Sequence, residues 1–243
     1  MAAQGDRGAQ GDRGAQGAPR GVLIVFEGAE GVGKSTQLRR LATCLADAGV
    51  PHQALREPGG TVLGERIRAL LLDPSAAMAP EAEALLFVAS RAQIVADRIR
   101  PALEAGEVVL LDRFFLSTYA YQIVGRGLNA DGVRAANRLA TGALVPDLTV
   151  VFDLPAGDGF ARADARGTRD RMENAGDEFH RRVGAAFTRF VTAEWQAEHP
   201  EAGPVVRVDA RGSEEAVFAR LVALLSERLP RTFGALTSIG RTS

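Results

Sequence analysis

Short apolar runs alternate along this chain with stretches of helical periodicity. Residues 22–26 are apolar throughout, a glycine-rich turn follows, and Leu38, Leu41 and Leu45 then recur at helical spacing within 34–48, with Gly49 as a stop. A weaker strand is predicted over 53–56, leading into the turn Pro58-Gly59-Gly60. Helices are predicted over 61–72, ended by Asp73-Pro74, and over 80–105, where Pro101 marks a kink or a restart. The runs 108–111, 148–152 and 205–208 are apolar or nearly so and end in Asp112, Asp153 and Asp209. The first two read as strands covered on both faces. Helical patterns over 117–124, 131–141 and 214–229, with a long one after a polar arginine-rich stretch, complete the alternation. Parallel strands need crossover connections, so the pattern predicts an α/β fold: a central five-stranded parallel sheet with helices on both faces. Ligands of such sheets bind outside the carboxyl ends of the strands, the edge at which the three aspartates fall.

The two ends depart from this pattern. Gly5, Gly8, Gly11, Gly14 and Gly17 mark a collagen-like period too short for a triple helix, with no apolar side chain larger than alanine after Met1. Residues 1–20 read as a disordered tail or as an artefact of start-site choice or assembly, and 231–243 as a flexible polar tail. One domain is expected over 21–230. The whole chain's 29 basic and 30 acidic side chains leave a net charge of −1, so no global field favours nucleic acid or an anionic membrane, and any phosphate site must be local. The single cysteine, Cys44, rules out an internal disulfide framework and fits a reducing cytoplasm. The dispersed His52, His180 and His199 show no zinc spacing. No run approaches a membrane span, and residues 1–20 lack the apolar core of a signal peptide, so a cytoplasmic chain is expected.

Candidate chemistry begins after the first strand. Gly28-Ala29-Glu30-Gly31-Val32-Gly33-Lys34-Ser35 matches G-x-x-x-x-G-K-[ST] in the required strand–turn–helix setting. Glycines let backbone N–H groups converge on a phosphate at a helix N-terminus, Lys34 reaches the β- and γ-phosphates, and the Ser35 hydroxyl suits Mg²⁺. Thr36 adds a further phosphate contact. The loop makes the fold a P-loop NTPase without saying which reaction follows. No Asn-Lys-x-Asp motif for guanine is present, and a small P-loop domain with an arginine-rich segment suits phosphoryl transfer to a small acceptor. Asp112 and Arg113, after a buried strand beside that loop, are placed to hold a magnesium-bound water and to bridge two phosphates; a surface ion pair is the plain alternative. Phe87 and Arg91 share a helix face, where by itself Phe87 reads as core.

Six motifs then occur in order: 26–36, Arg56-Glu57-Pro58-Gly59-Gly60-Thr61, Leu86-Phe87-x3-Arg91, Asp112-Arg113-x3-Ser117-Thr118-Tyr119-Ala120-Tyr121-Gln122, Pro146-Asp147-Leu148-Thr149 and Asp170-Arg171-x-Glu173. Together they resemble bacterial thymidylate kinases, P-loop nucleoside monophosphate kinases that transfer the γ-phosphate of ATP to dTMP, over about residues 21–230. The resemblance implies that Phe87 stacks on thymine and Arg91 bonds a base carbonyl. It puts Ser117 and Thr118 at the base edge, Tyr121 against the deoxyribose, where a 2′-hydroxyl would not fit, and Gln122 in the polar rim. It further implies that Glu30 faces the acceptor 3′-hydroxyl, that Arg56 and Arg68 lie near the acceptor phosphate, and that the enzyme is a homodimer. Glu57-Pro58 is a candidate cis bond. Arg162, Arg166, Arg169 and Arg171 crowd 162–173, which reads either as a solvated loop or as a lid over about 157–175. Position 31 is glycine, so the chain resembles the members whose lid supplies the arginine for the transferring phosphate; Arg166 and Arg171 are assigned that role and Arg162 a place along the adenine. Mg²⁺ would rest on Ser35 and Asp112. Phe114, Ile123-Val124 and Phe187 depart from residues common in the family without removing a required group. A kinase for another small (deoxy)nucleoside monophosphate and a non-catalytic nucleotide-binding module are the alternatives.

Overall fold

The computed structural model describes residues 20–154 and 171–234. Five parallel strands form one sheet: β1 (Val22–Glu27), β2 (His52–Arg56), β3 (Val108–Asp112), β4 (Leu148–Asp153) and β5 (Val205–Asp209), in the order β2-β3-β1-β4-β5. Alternate side chains leave a strand on opposite faces, so β1 feeds two cores. Leu23 and Val25 join Leu55, Val109, Leu111 and Val151 on one side; Ile24 and Phe26 join Val108, Leu110, Val150 and Phe152 on the other.

Helices cover both faces. α1 (Lys34–Asp47) packs Leu38, Leu41 and Leu45 onto the second core, and the three are at most 5% exposed. α2 (Val62–Leu72) is capped by Thr61, whose hydroxyl accepts from the Gly64 amide at 2.9 Å, so the helix starts one residue later than its periodicity predicts. α3 (Pro80–Ile94) runs into a π-helical turn (Val95–Ile99) and then α4 (Arg100–Glu104). Pro101 thus marks a restart. Its ring and missing N–H forbid the bond to residue 97, and the chain absorbs this by widening the turn just upstream. α5 (Phe115–Thr118) continues into another π-helical stretch (Tyr119–Gly125).

α6 (Ala130–Thr141), α7 (Asp177–Phe190), α8 (Ala193–Glu198) and α9 (Glu214–Arg228) follow, and α10 (Pro230–Phe233) ends the described chain. That last turn corrects the C-terminal boundary. Phe233 is 1% exposed within the second core, and its carbonyl accepts from Ser226 Oγ at 3.0 Å, so the ordered domain reaches past 231. Arg20, at the other end, pairs with Asp147 at 3.1 Å; residues 1–19 and 235–243 lie outside the described part. Among the described residues no helix is long and apolar enough to cross a membrane.

The sheet brings three carboxyl ends together. Phe26 lies opposite Asp112 and Arg56 opposite Asp112 in register, so the loops after β1, β2 and β3 open into one crevice where the strand order turns back. Leu41→Ala, at 0% exposure under this sheet, is expected to lower unfolding free energy by about 2–5 kcal/mol, read from the denaturant midpoint at unchanged slope.

Candidate active site

A cleft of about 1100 Å³ runs along the carboxyl edge of the sheet. Residues 30–39 line one end together with Ala210, Gly212, Ser213, Glu214 and Val217; Arg56, Arg68, Phe87, Arg91, Tyr121 and Gln122 line the other. The phosphate-loop turn can be built only with glycine at its entry. Gly28 adopts φ 138°, and a Cβ there would stand 2.6 Å from the Phe152 carbonyl oxygen. Gly33 adopts φ 92° as it hands the chain to α1. Gly28 and Ala29 act through their carbonyls, which accept from Lys34 Nζ at 2.9 and 2.7 Å. Burial, with Arg113 adding to it, pulls the Lys34 ammonium down to about 8 against Glu30, Asp112 and Glu27.

Ser35 Oγ donates to Asp112 Oδ2, while Asp112 Oδ1 is buried with no hydrogen-bond partner. A buried carboxylate oxygen without a donor, next to a hydroxyl at the phosphate loop, is an oxygen set that fits a hard divalent cation. Arg113, the next residue, takes φ 71°, in the left-handed region. Its guanidinium donates to Glu30 at 2.6 Å, to the Gly28 carbonyl at 3.2 Å and to Ser117 Oγ at 2.9 Å, and lies 5.3 Å from the Tyr121 ring centre. Burial alone would weaken its hold on the proton, but Glu30, Tyr121, Asp112 and Glu27 outweigh that and raise its pKa. Burial pushes the Tyr121 phenol up, so it remains a donor and gives Glu30 a bond of 3.0 Å.

The sequence reading gives Glu27 no role, yet it is the floor of this end. At 0% exposure its Oε1 accepts from the Phe114 and Ser117 amides at 2.8 and 3.1 Å, and its Oε2 from Ser117 Oγ at 2.6 Å. It caps α5 from a neighbouring strand. Ser117 therefore supports Arg113, with its hydroxyl already donated, instead of offering that proton to a base. Arg91 is 2% exposed and held on four sides: Nε to Glu57 at 2.7 Å, Nη1 to Thr118 at 2.8 Å and to Asn137, and Nη2 to the Phe114 carbonyl at 2.9 Å. Thr118 thus orients Arg91. The Phe114 ring lies 5.2 Å below the same guanidinium, which accounts for an apolar residue at that position. Phe87 is half-buried on the cleft wall. Arg56 pairs with Glu65 at 3.0 Å, and Arg68 donates to the Pro58 carbonyl at 3.0 Å beside the Glu57-Pro58 bond, which is cis.

Arg171 is not brought to the phosphate loop. Its Nη1 donates to Glu83 at 2.6 Å and its Nε to the Leu71 carbonyl at 2.8 Å, because a buried carboxylate on α3 is its nearest anion. Arg162, Arg166 and Arg169 lie outside the described residues. Nothing in the sequence marks Asn137 or Glu57 as a site residue. Glu83 alone carried a signal, since 83, 87 and 91 repeat at four-residue spacing on one helix.

A P-loop beside the Asp-Arg end of β3, with both opening into one cleft, is the architecture of an ATP-dependent kinase of the P-loop NTPase class. A family model described as thymidylate kinase matches residues 26–217. Among similar proteins, thymidylate kinase from Synechococcus sp. (strain JA-2-3B'a(2-13)) is 47% identical over 211 residues, covering 86% of this chain and 96% of that one. The Pseudomonas fluorescens Pf-5 thymidylate kinase is 47% identical over 215 residues, covering 88% and 99%. The crystal structure of thymidylate kinase from Ehrlichia chaffeensis superposes with a TM-score of 0.66 at 28% identity, covering 86% of this chain and 100% of that one. The chain belongs to the thymidylate kinase family.

A bound triphosphate favours the charged form of Lys34, so above a pKa of about 8 binding must take up a proton. ATP affinity, followed by calorimetry, is expected to fall towards about tenfold per pH unit above pH 8. Lys34→Met should bind more weakly at pH 7 and lose that slope.

Proposed function

We infer that this chain phosphorylates dTMP to dTDP with ATP, by direct in-line transfer without a covalent enzyme intermediate, in supply of dTTP for DNA synthesis. The observation that carries the reading is a single cleft with a phosphate loop at one end and a Phe87/Arg91/Tyr121 slot at the other, spanned by Arg113. Phosphoryl transfer proceeds through a loose transition state, so the protein's task is positioning and charge. The backbone of residues 28–33, with Lys34 and Thr36, cradles the donor phosphates, and Arg113 neutralises charge between donor and acceptor. Ser35 and Asp112 would hold Mg²⁺, which when bound would supply further neutralisation of the donor phosphates. The acceptor is already an oxyanion, so no general base is needed.

Phe87 offers a flat face to the base and Arg91 its remaining N–H to a base carbonyl. Tyr121 packs where a ribose 2′-hydroxyl would lie, and Glu30 faces the 3′-hydroxyl. Arg56 and Arg68 serve the acceptor phosphate. The P-loop holds no arginine, so the arginine for the transferring phosphate comes from the segment between β4 and α7, with Arg166 first in line and Arg162 along the adenine. Arg171 joins them only by leaving Glu83.

The chain works in the cytoplasm as a homodimer. Val62, Leu63 and Leu70 on α2, Leu85 on α3 and Leu139 on α6 are 46–86% exposed, an apolar supply that a second copy would cover.

A coupled ADP-release assay with dTMP, dUMP, dCMP, dGMP and ribo-TMP tests the reading. Turnover is expected to be greatest with dTMP, and ADP release indifferent to every acceptor would overturn it. Arg113→Ala should lower kcat by at least about a hundredfold. Tyr121→Ala should narrow the preference for dTMP over ribo-TMP; an unaltered ratio would reject its steric role.

A further inference from the structure

Glu83 is 1% exposed, yet no step of the transfer uses it. It lies in the first turn of α3, four residues before Phe87 and eight before Arg91, so the three share one stripe of the helix. Its Oε1 accepts from Gln122 Nε2 at 2.9 Å and Arg126 Nε at 3.2 Å. Its Oε2 accepts from Arg126 Nη2 at 3.0 Å and Arg171 Nη1 at 2.6 Å. Burial would push this carboxyl up, but the bonds from Arg126, Gln122 and Arg171 outweigh it and hold the group below its ordinary value. Glu83 is therefore an anion, and a carboxylate anion only accepts hydrogen bonds.

That property decides the orientation of its neighbour. A glutamine amide carries a donating nitrogen and an accepting oxygen, and against an anion only the nitrogen can be turned inward. Gln122 is 1% exposed and lines the cleft beside Phe87 and Arg91. With Nε2 given to Glu83, Oε1 is the amide atom left for a ligand. We propose that Glu83 is a positioning residue that locks the Gln122 amide with its oxygen towards the cleft, and so sets which base the acceptor slot takes.

This rests on the reading of dTMP as acceptor and adds the source of its selectivity. A thymine or uracil ring presents an N3–H donor between two carbonyls. A cytosine ring presents an unprotonated N3 beside an amino group. A fixed oxygen pairs with the first and sets lone pair against lone pair with the second. Arg126, joined by Arg171 as long as that side chain stays on Glu83, contributes by keeping Glu83 ionised, since a protonated carboxyl could itself donate and let the amide turn over.

The test compares full-length wild type with Glu83→Gln, measuring kcat and KM for dTMP and for dCMP with saturating ATP, alongside Tm. The substituted amide can meet Gln122 with either atom, so Gln122 is released to present nitrogen to the cleft. KM for dTMP is expected to rise about tenfold with kcat within about threefold, and the dTMP-to-dCMP ratio of kcat/KM to fall at least about tenfold. In a Gln122→Ala background the same substitution should leave the ratio where it stands. Equal losses for both acceptors, with the ratio unchanged, would reduce Glu83 to packing and overturn the proposal. If Glu83→Gln does not fold, Glu83→Asp decides. It keeps the arginines paired but withdraws the carboxylate by one methylene, and the ratio should fall about threefold; no change overturns the proposal. Wild type that turns over dTMP while the variants keep its ratio removes the positioning role alone. Wild type inert towards dTMP removes the functional reading beneath it.

Discussion

Arg113 closes the seam between β1 and β3, and both ends of the cleft are keyed to its charge. Its backbone N–H donates to the Phe26 carbonyl at 2.9 Å, so it is fixed to the end of one strand while belonging to the next. Holding a side-chain-bearing residue at φ 71° costs on the order of 1–3 kcal/mol. The surroundings impose it: Glu27 holds Ser117, Ser117 and Glu30 hold Arg113, and Tyr121 completes the ring by donating to Glu30. Carboxylate, hydroxyl and guanidinium alternate, so each charged member faces an opposite charge or a matching dipole. Both ends of the cleft therefore face the same cation in one position.

A second, drier cluster supports the acceptor side. Glu57 and Arg91 are 4% and 2% exposed, and they meet at 2.7 Å. Burial pushes the Glu57 carboxyl up to about 7, helped by Glu27 and opposed by Arg91, and its Oε1 has no hydrogen-bond partner. Pairs of this kind add little net stability, because desolvation consumes most of their attraction. Their effect is to remove alternatives. With Glu57, Thr118, Asn137 and the Phe114 carbonyl all bound, the guanidinium of Arg91 keeps one orientation at the wall of the slot.

Much of this was legible in the sequence, for a physical reason that also marks the limit. Strands β1, β3 and β4 are covered on both faces and therefore read as apolar runs, broken only by Thr149 in β4, and the phosphate loop is a local motif whose spacing carries its chemistry. Motif order placed Phe87, Arg91, Asp112, Arg113 and Tyr121 on one cleft. What stayed hidden depends on side chains meeting across the fold. Glu27 and, apart from its spacing with Phe87 and Arg91, Glu83 look solvated in a string of letters because acidic residues usually are, and only the packed fold shows each to be surrounded by donors. Ser117 lay in a recognised motif, but its partners, and hence its supporting place under Arg113, come from β1. The π-helical turns at Val95–Ile99 and Tyr119–Gly125 leave no periodic trace, and the buried ring of Phe233 was masked by its polar neighbours.

The division of the interior into two apolar clusters has a consequence for how such a protein can change. Helix α1 and helix α9, at the phosphate-loop end of the cleft, rest on one face of the sheet, whereas α3 and α5, at its other end, rest on the other. Amino-acid replacements that reshape the second layer need not replace any side chain of the first, because each strand sends alternate side chains to opposite faces. Lineages could therefore retune what is accepted while inheriting the donor grip intact, with the shared strand ends acting as the hinge point of that modularity.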